Sequence, residues 1–495
     1  MSCNGDVAER VKREENKVSS LVKKFKQIKD VITVEPLIGL YQFAIFISRP
    51  ALENLELEKA CRVNLNYNDT VCDSILSGHH KNYSIENNNI QIIISKMHSW
   101  QQPITSFFPL LLILFLGSYS DRHKWRKPFF IIPLIGDILG YLGNILSVTY
   151  MRTWPLEVQG VFQKIVPSIF GTQPMVVMST TAYIADVSTK EDRTLRIGLA
   201  TLVINLTIPV AQAISGILFN KIGYYGVLSI SSIILAIAFV YGVFCVKETS
   251  CFKEKKKTCV ISDVFNPSDA LSTLGIVFKK TPNLTRLHLL LTMAILQRCA
   301  SDGEDNMTFL YVQNIFQWTP VDYSYFRTAQ SITTLLGNVL GLWILVKILK
   351  INDLIILFIT VYTRLFAQVI FGLAATSMVF YAGILLVVVT RLNRIAKRSY
   401  ITKIVSENDI GKTISMLGIV EAIAPVVAVP VYNLIYQHTL ESFPAMIFFF
   451  SVLIYTICSF IIAFMYWNDR RIQKKEDNLD KAGQNISTIV ESTHI

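Results

Sequence analysis

From residue 34 to residue 467 the sequence repeats one pattern, an apolar run of about twenty residues followed by a short stretch of charged or turn residues. Twenty residues wound as an α-helix rise about 30 Å, the thickness of the hydrocarbon core of a bilayer. Six such runs fall near 34–51, 99–119, 128–150, 156–185, 195–220 and 223–246. After a charged segment six more fall near 283–303 (with an extension to 316 left open), 323–347, 352–375, 377–396, 411–436 and 442–467. The chain is 52% hydrophobic and 17% charged, against about 25% charged in ordinary soluble domains. A water-soluble fold is therefore excluded, and an all-α membrane protein of twelve transmembrane helices is predicted.

The formal net charge of +11 does not call for nucleic acid, because the basic residues cluster in short loops. The tail, residues 1–33, carries Lys and Arg from Arg10 to Lys29 and no apolar signal-peptide core. Basic clusters recur at 120–127, at 186–196 and from Lys247 to Arg286. Short loops on the opposite side hold only Arg152, Lys221 and Arg327. The positive-inside rule places both termini in the cytoplasm. The long loop 52–98 is then extracellular, and two glycosylation sequons, at Asn68 and Asn82, lie in it. A third, at Asn205, falls inside a span and is expected to stay unmodified. The domains predicted are a cytoplasmic tail at 1–33, a six-helix bundle at 34–246, a cytoplasmic linker at 247–282, a second six-helix bundle at 283–467 and a tail at 468–495.

An internal repeat supports that division. Tyr183-Ile-Ala-Asp, at the exit of the fourth span, resembles Tyr400-Ile-Thr-Lys at the exit of the tenth, 217 residues on (183 to 400). Gly117 and Gly341, near the ends of the second and eighth spans, are 224 apart (117 to 341). Two parallel six-helix repeats follow from the nearly shared displacement.

The loop after the second span reads Gly117-Ser-Tyr-Ser-Asp121-Arg122-His-Lys-Trp-Arg126-Lys127-Pro128. It resembles the signature of the major facilitator superfamily, in which a glycine, an Asp-Arg pair and a basic pair join the second and third helices. The resemblance implies a conformational latch formed by Gly117, Asp121, Arg122, Arg126 and Lys127 with Asp186 and Arg193, ion pairs that hold one state and release in the other. Tyr119 and the late basic pair depart from the signature, and a plain topogenic loop would account for the bases but not for Asp121. Further matches are Glu35-Pro36, Asn66-Tyr-Asn68-Asp-Thr70 with Cys72, Ala185-Asp186-Val-Ser188, Arg193-Thr-x-Arg196, Asp305, Arg398 and Lys403. With these the chain resembles the solute-carrier family of the proton-coupled folate transporter, the thymic stromal cotransporter and a lysosomal steroid-conjugate symporter.

That resemblance implies proton-coupled transport and also marks departures. The family's fifth-helix glutamate falls on Thr201 and its seventh-helix histidine near Ala300, which argues against folate. The outer-loop cysteine expected near Trp318 is replaced by Gln317, so a bridge between Cys61 and Cys72 is expected, with Cys299 the competing partner. The eight cysteines and seven histidines show no ligand spacing, so no metal and no cofactor are expected.

Ionisable groups at membrane depth are costly and mark candidate function. Asp137, Lys164, Arg364 and Glu421 fall near mid-span. Glu421 and Asp137 are the candidates for proton coupling, and Arg364, Asp305 and Arg398 those for holding substrate. Structural pairing between helices is the alternative for each. Asp302, Glu304 and Asp305 are expected near the outer end of the seventh helix, and residues 391–398 as a basic patch on the inner face. No nucleophilic triad, phosphate loop or metal spacing appears, so an enzyme is not expected. The prediction is a secondary active transporter moving protons and a small organic anion or amphipathic conjugate, in the plasma membrane rather than the endolysosomal membrane. A transport-dead receptor on the same fold is the rival.

Overall fold

The computed structural model describes residues 33–79, 81–123, 125–188, 193–248, 284–390, 392–405 and 407–492, and all regular structure among them is helical. Residues 1–32 and nearly all of the predicted linker lie outside the described residues. The side chains of Gly117, Asp121, Arg122 and Arg193 also lie outside them.

Helix α1 spans Glu35–Lys59 and runs on through a π-turn at Ala60–Asn64. Its start follows from local chemistry: Pro36 sits in the first turn, where its missing N–H costs nothing. The Glu35 carboxylate accepts the backbone N–H groups of Thr33 and Val34. A short loop helix, α2 (Asp69–Leu76), precedes α3 (Ser84–His123). The predicted outer loop is thus largely helical, because α1 and α3 continue past their apolar runs with polar residues that suit a helix. Next come α4 (Lys127–Thr149), then α5 (Leu156–Gly160), a π-turn at Val161–Ile165, α6 (Val166–Ile169) and α7 (Thr172–Val187). Helix α8 (Arg193–Phe244) is two helices meeting at Gly223, whose φ of 62° only glycine adopts readily.

The second half begins with α9 (Leu284–Phe316) and α10 (Pro320–Gly341), the latter ending in a π-turn at Leu342–Ile348. Then come α11 (Asp353–Leu373), α12 (Ser377–Leu386), α13 (Leu392–Ile404), α14 (Glu407–Thr439) and α15 (Met446–Ser492). Asn352 caps α11 and Thr376 caps α12 through side-chain acceptors. Taking α5–α7 as one span, α8 as two and α12–α13 as one, the described helices make twelve segments in two sets of six. In each set the fourth member is broken: at Gly171, with φ 101°, in the first, and between Leu386 and Leu392 in the second.

Six helices among the described residues are long and apolar enough to cross a membrane, one of them the kinked Arg196–Phe244. Charge explains two of the other segments, since α1 carries Arg49, Glu53 and Glu56 and α9 carries Arg298, Asp302, Glu304 and Asp305. The apolar faces point outward in stripes: Ile132, Ile135, Leu139, Leu142 and Leu146 of α4 are all exposed. That spacing is one helical face, turned toward lipid rather than toward a core. Inside the first half, Leu37 and Tyr41 of α1, Phe130 and Leu134 of α4, Val176 of α7 and Leu235 of α8 share one buried cluster. Leu291, Leu357, Phe380 and Phe448 belong to another in the second half.

The two halves are stitched together at the end that carries α2, the loop end. Asn87 donates to Asn314 at 3.0 Å, Gln91 to Gln313 at 2.7 Å, Tyr436 to Gln91 at 2.6 Å and Ser95 to Asn433 at 2.7 Å. This ladder, between α3 on one side and α9 and α14 on the other, is entirely uncharged.

Candidate functional site

Below the ladder lies a cavity of about 500 Å³ between the halves, and beside it one of about 490 Å³ walled mostly by the first half and closed by residues of α9 and α14. Arg49, Gln173, Arg298 and Glu421 line both. Ligand cavities of this size are ordinary for small molecules.

Helix α9 supplies the acidic face of the larger cavity. Asp305 sits at mid-helix, not at the outer end expected from sequence, because the helix continues to Phe316 as a hydrogen-bonded rod. Its Oδ2 accepts from Arg49 Nη2 at 3.1 Å and its Oδ1 from Arg327 Nη1 at 2.5 Å. Arg327, expected in an outer loop, is therefore an inward-facing residue of α10. Arg49 also donates to Glu53, one turn on, at 3.0 Å, so α1, α9 and α10 meet in one ion network. Glu304 Oε2 accepts from Arg364 Nη2 and from Gln368 Nε2, each at 2.8 Å. Arg364 is thus a paired cation. Arg298 lies 2.7 Å from Asp302, and Lys397 Nζ donates to Glu421 Oε1 at 3.3 Å.

Six basic side chains (Arg49, Arg298, Arg327, Arg364, Arg394, Lys397) and four acidic ones (Asp302, Glu304, Asp305, Glu421) line this cavity. Arg394 has no ion-pair partner among the described residues. The wall therefore carries an excess of two positive charges. Arg398, one turn past Arg394 on α13, is exposed and is not among the residues that line the cavity.

The smaller cavity holds Asp137 and Lys164. Tyr41 donates to Asp137 Oδ2 at 2.8 Å, the carboxylate's sole hydrogen bond among the described residues. Ser48 and Tyr141 share a hydrogen bond of 2.5 Å. His98 Nε2 lies 3.0 Å from Glu56 Oε2, both side chains buried. Sequence reasoning missed Glu53 and Glu56 because the first apolar run ends near 51, and His98 because the second begins near 99. The signal was the helical periodicity of Ala51, Leu52 and Leu55 continuing beyond it.

At the opposite, terminal end, Arg126 is buried and donates through Nε to Asp186 Oδ2 at 2.8 Å. Lys127 Nζ donates to the Val243 carbonyl. Glu248 accepts the backbone N–H of Arg126 at 2.9 Å, a carboxylate at the N-terminus of α4 where the helix dipole favours it. At the loop end Cys61 and Cys72 form a disulfide with Cα atoms 5.8 Å apart, and Asn68 and Asn82 are both exposed. Thr201 faces outward on α8 and Ala300 is buried in α9.

Residues 95–396 match the family profile of the Major Facilitator Superfamily, more than half of the chain. Among curated proteins, the lysosomal proton-coupled steroid conjugate and bile acid symporter SLC46A3 of Gallus gallus is 23% identical, over 89% of this chain and 94% of its own length. The probable peptidoglycan muropeptide transporter SLC46 of Drosophila melanogaster is 25% identical, over 86% and 83%. The proton-coupled folate transporter of Rattus norvegicus is 23% identical, over 82% and 86%. Among solved structures, the human organic anion transporter MFSD10 superposes with a TM-score of 0.60 at 14% identity, covering 88% of this chain and 99% of that one. A D-xylose-proton symporter gives the same score at 13% identity, covering 88% and 97%. Two helical sets around a charged central cavity, a matching profile and full-length relatives lead to one conclusion: the chain is a multi-pass membrane transporter that belongs to the major facilitator superfamily.

Proposed function

We propose that this transporter is a proton-coupled symporter of a small organic anion or amphipathic conjugate, working by alternating access. The observation that carries the reading is the net-positive cavity between the halves, closed at the loop end by the amide ladder. Fixed guanidinium groups of this kind suit a carboxylate or sulfate. The names of the curated relatives, steroid conjugate, muropeptide and folate carriers, support a sizeable organic substrate.

In this reading the bundles 34–246 and 283–467 rock about the cavity while the linker 247–282 tethers them. The loop end faces outside, where Asn68 and Asn82 receive glycan and the Cys61–Cys72 bridge meets oxidising conditions. Both termini are cytoplasmic, and the plasma membrane is the site of action. Glu421 and Asp137 are the proton carriers proposed from their depth. Glu421 exchanges its proton against Lys397, and Asp137 has a neutral tyrosine partner, so protonating it breaks no ion pair. Arg364 takes the substrate anion by exchanging Glu304 for it, with Asp305 and Arg398 flanking the path.

The deciding experiment is uptake into proteoliposomes under an acid-outside gradient with estrone 3-sulfate, taurocholate, folate and muramyl dipeptide as probes. Accumulation of one of them above its outside concentration is expected. Binding of a probe without accumulation would instead establish the receptor reading, which the departures at Thr201 and Ala300 favour.

A further inference from the structure

The smaller cavity contains a titratable pair that no motif marks. Glu56 of α1 and His98 of α3 lie 3.0 Å apart, 4% and 7% exposed in their side chains. Each keeps one buried atom, Glu56 Oε1 and His98 Nδ1, without a hydrogen bond of ordinary geometry. Both residues line the cavity. These atoms are two of several such among the described residues, and facing a cavity they leave room for an occupant that comes and goes.

The surroundings narrow that occupant. From α1 the pair is faced by Arg49 and Glu53, from the π-turn after α5 by Gln163 and Lys164, and from α4 by Asp137 and Tyr141. Arg298 of α9 and Glu421 of α14 close the wall toward the larger cavity. Arg49 is held by Glu53 and Asp305. Lys164 has no such ion pair, and the opposite charge that acts on it most strongly is Glu56.

We propose that Glu56 and His98 together bind one transported proton, and that its arrival exposes the charge of Lys164 to the anionic substrate. The inference rests on the symport reading and names the proton site that sets substrate affinity, beside the carriers Glu421 and Asp137, with Lys164 a second anion contact in addition to Arg364. With a carboxylate and a neutral imidazole the pair carries one negative charge, which balances Lys164. A proton taken from water, on either the imidazole or the carboxylate, brings the pair to neutrality. Lys164 then loses the counter-charge that acts on it most strongly, beside Arg49 and Arg298 in the same wall. An anion entering there takes the place of the lost Glu56–His98 charge beside Lys164, so proton and anion enter together. When the anion leaves on the other side, Lys164 again favours the ionised pair, and the proton passes back to water.

The test uses the full-length protein in lipid nanodiscs and needs no substrate for its first part. Infrared difference spectra between pH 5 and pH 8 are expected to show proton uptake at the pair as an imidazole change accompanied by a shift of the carboxyl bands beside it. Glu56→Gln should remove that carboxyl change, and His98→Gln should shift its midpoint. Unchanged spectra in both variants would overturn the proposal. In the second part, wild-type binding of estrone 3-sulfate should tighten about tenfold between pH 8 and pH 5, a coupling of about 1.4 kcal/mol. In Glu56→Gln, which imitates the protonated carboxyl and keeps a hydrogen-bonding group for His98, binding should lose its pH dependence. A variant that still tightens with acid would also defeat the assignment. Should wild type accumulate none of the probes, the symport reading fails, while the infrared titration still decides whether the pair binds a proton.

Discussion

The residues that matter most here are charges held in pairs. Glu304 and Arg364 are both largely buried and 2.8 Å apart, so removing one leaves the other desolvated and uncompensated. Glu304→Gln should lower stability by about 3 kcal/mol, and the double variant with Arg364→Met should recover most of that loss; thermal unfolding in detergent reads both. Glu421 differs, since its side chain is 21% exposed to the cavity. In Glu421→Gln uphill uptake should fail while substrate exchange continues, because exchange needs no net proton movement. If acid-driven accumulation survives, Asp137→Asn is the next variant to assay. Outside the membrane, hydrogen bonds from Arg152 and Arg62 hold the Asp69 carboxyl below its ordinary range. A lowered value means stabilisation that is present above the ordinary carboxylate pKa and fades only as pH falls through the lowered one. Proteolysis of the loop should therefore be the same at pH 7 and pH 5 and rise only below about pH 4. Single charges such as Asp137 and Glu421 are legible in the sequence because each interrupts an apolar run. Their partners are not, since Tyr41, Lys397 and Arg327 come from helices whose rotation about their own axes no local pattern states.

At the level of elements, the repeat reaches the salt bridges. Asp186, at the exit of α7, pairs with Arg126 before α4. At the same 217-residue displacement stands Lys403, which lies 2.6 Å from Asp353 at the start of α11. The bond joins corresponding helices in each half with the charges exchanged. Tyr183 and Tyr400, related by the same step, both anchor to their half's last segment, donating to the Lys247 carbonyl just past α8 and to Asp469 within α15. The first half should therefore tolerate reversed polarity: Arg126→Asp and Asp186→Arg should each slow transport roughly tenfold, and the double variant should restore it. Rates per molecule at the membrane, corrected for expression, decide the matter. Helix existence was plain from apolar runs, whereas the breaks at Gly171 and after Leu386 were not, being demands of packing. Gly140 is one such demand. A methyl group there would stand 2.8 Å from the Phe162 carbonyl oxygen, so Gly140→Ala should cost about 1–3 kcal/mol.

On the scale of the molecule, the two ends of the transporter are held by different chemistry. Paired ions tie helices within each half at the terminal end, while neutral amides and hydroxyls join the halves at the loop end. If rocking opens the loop end, a covalent tie there should arrest it. Asn87→Cys with Asn314→Cys, bridged by an oxidant, should stop uptake, and a reductant should return it. The seal's composition also sets how much work opening requires. Amides that part from one another meet water, so each hydrogen bond exchanged costs only about 1 kcal/mol. A one-unit pH gradient supplies about 1.4 kcal/mol per proton. The four named bonds of the ladder then sum to about 4 kcal/mol, a step that thermal motion crosses, so under the symport reading the gradient is left to drive accumulation rather than to break the seal.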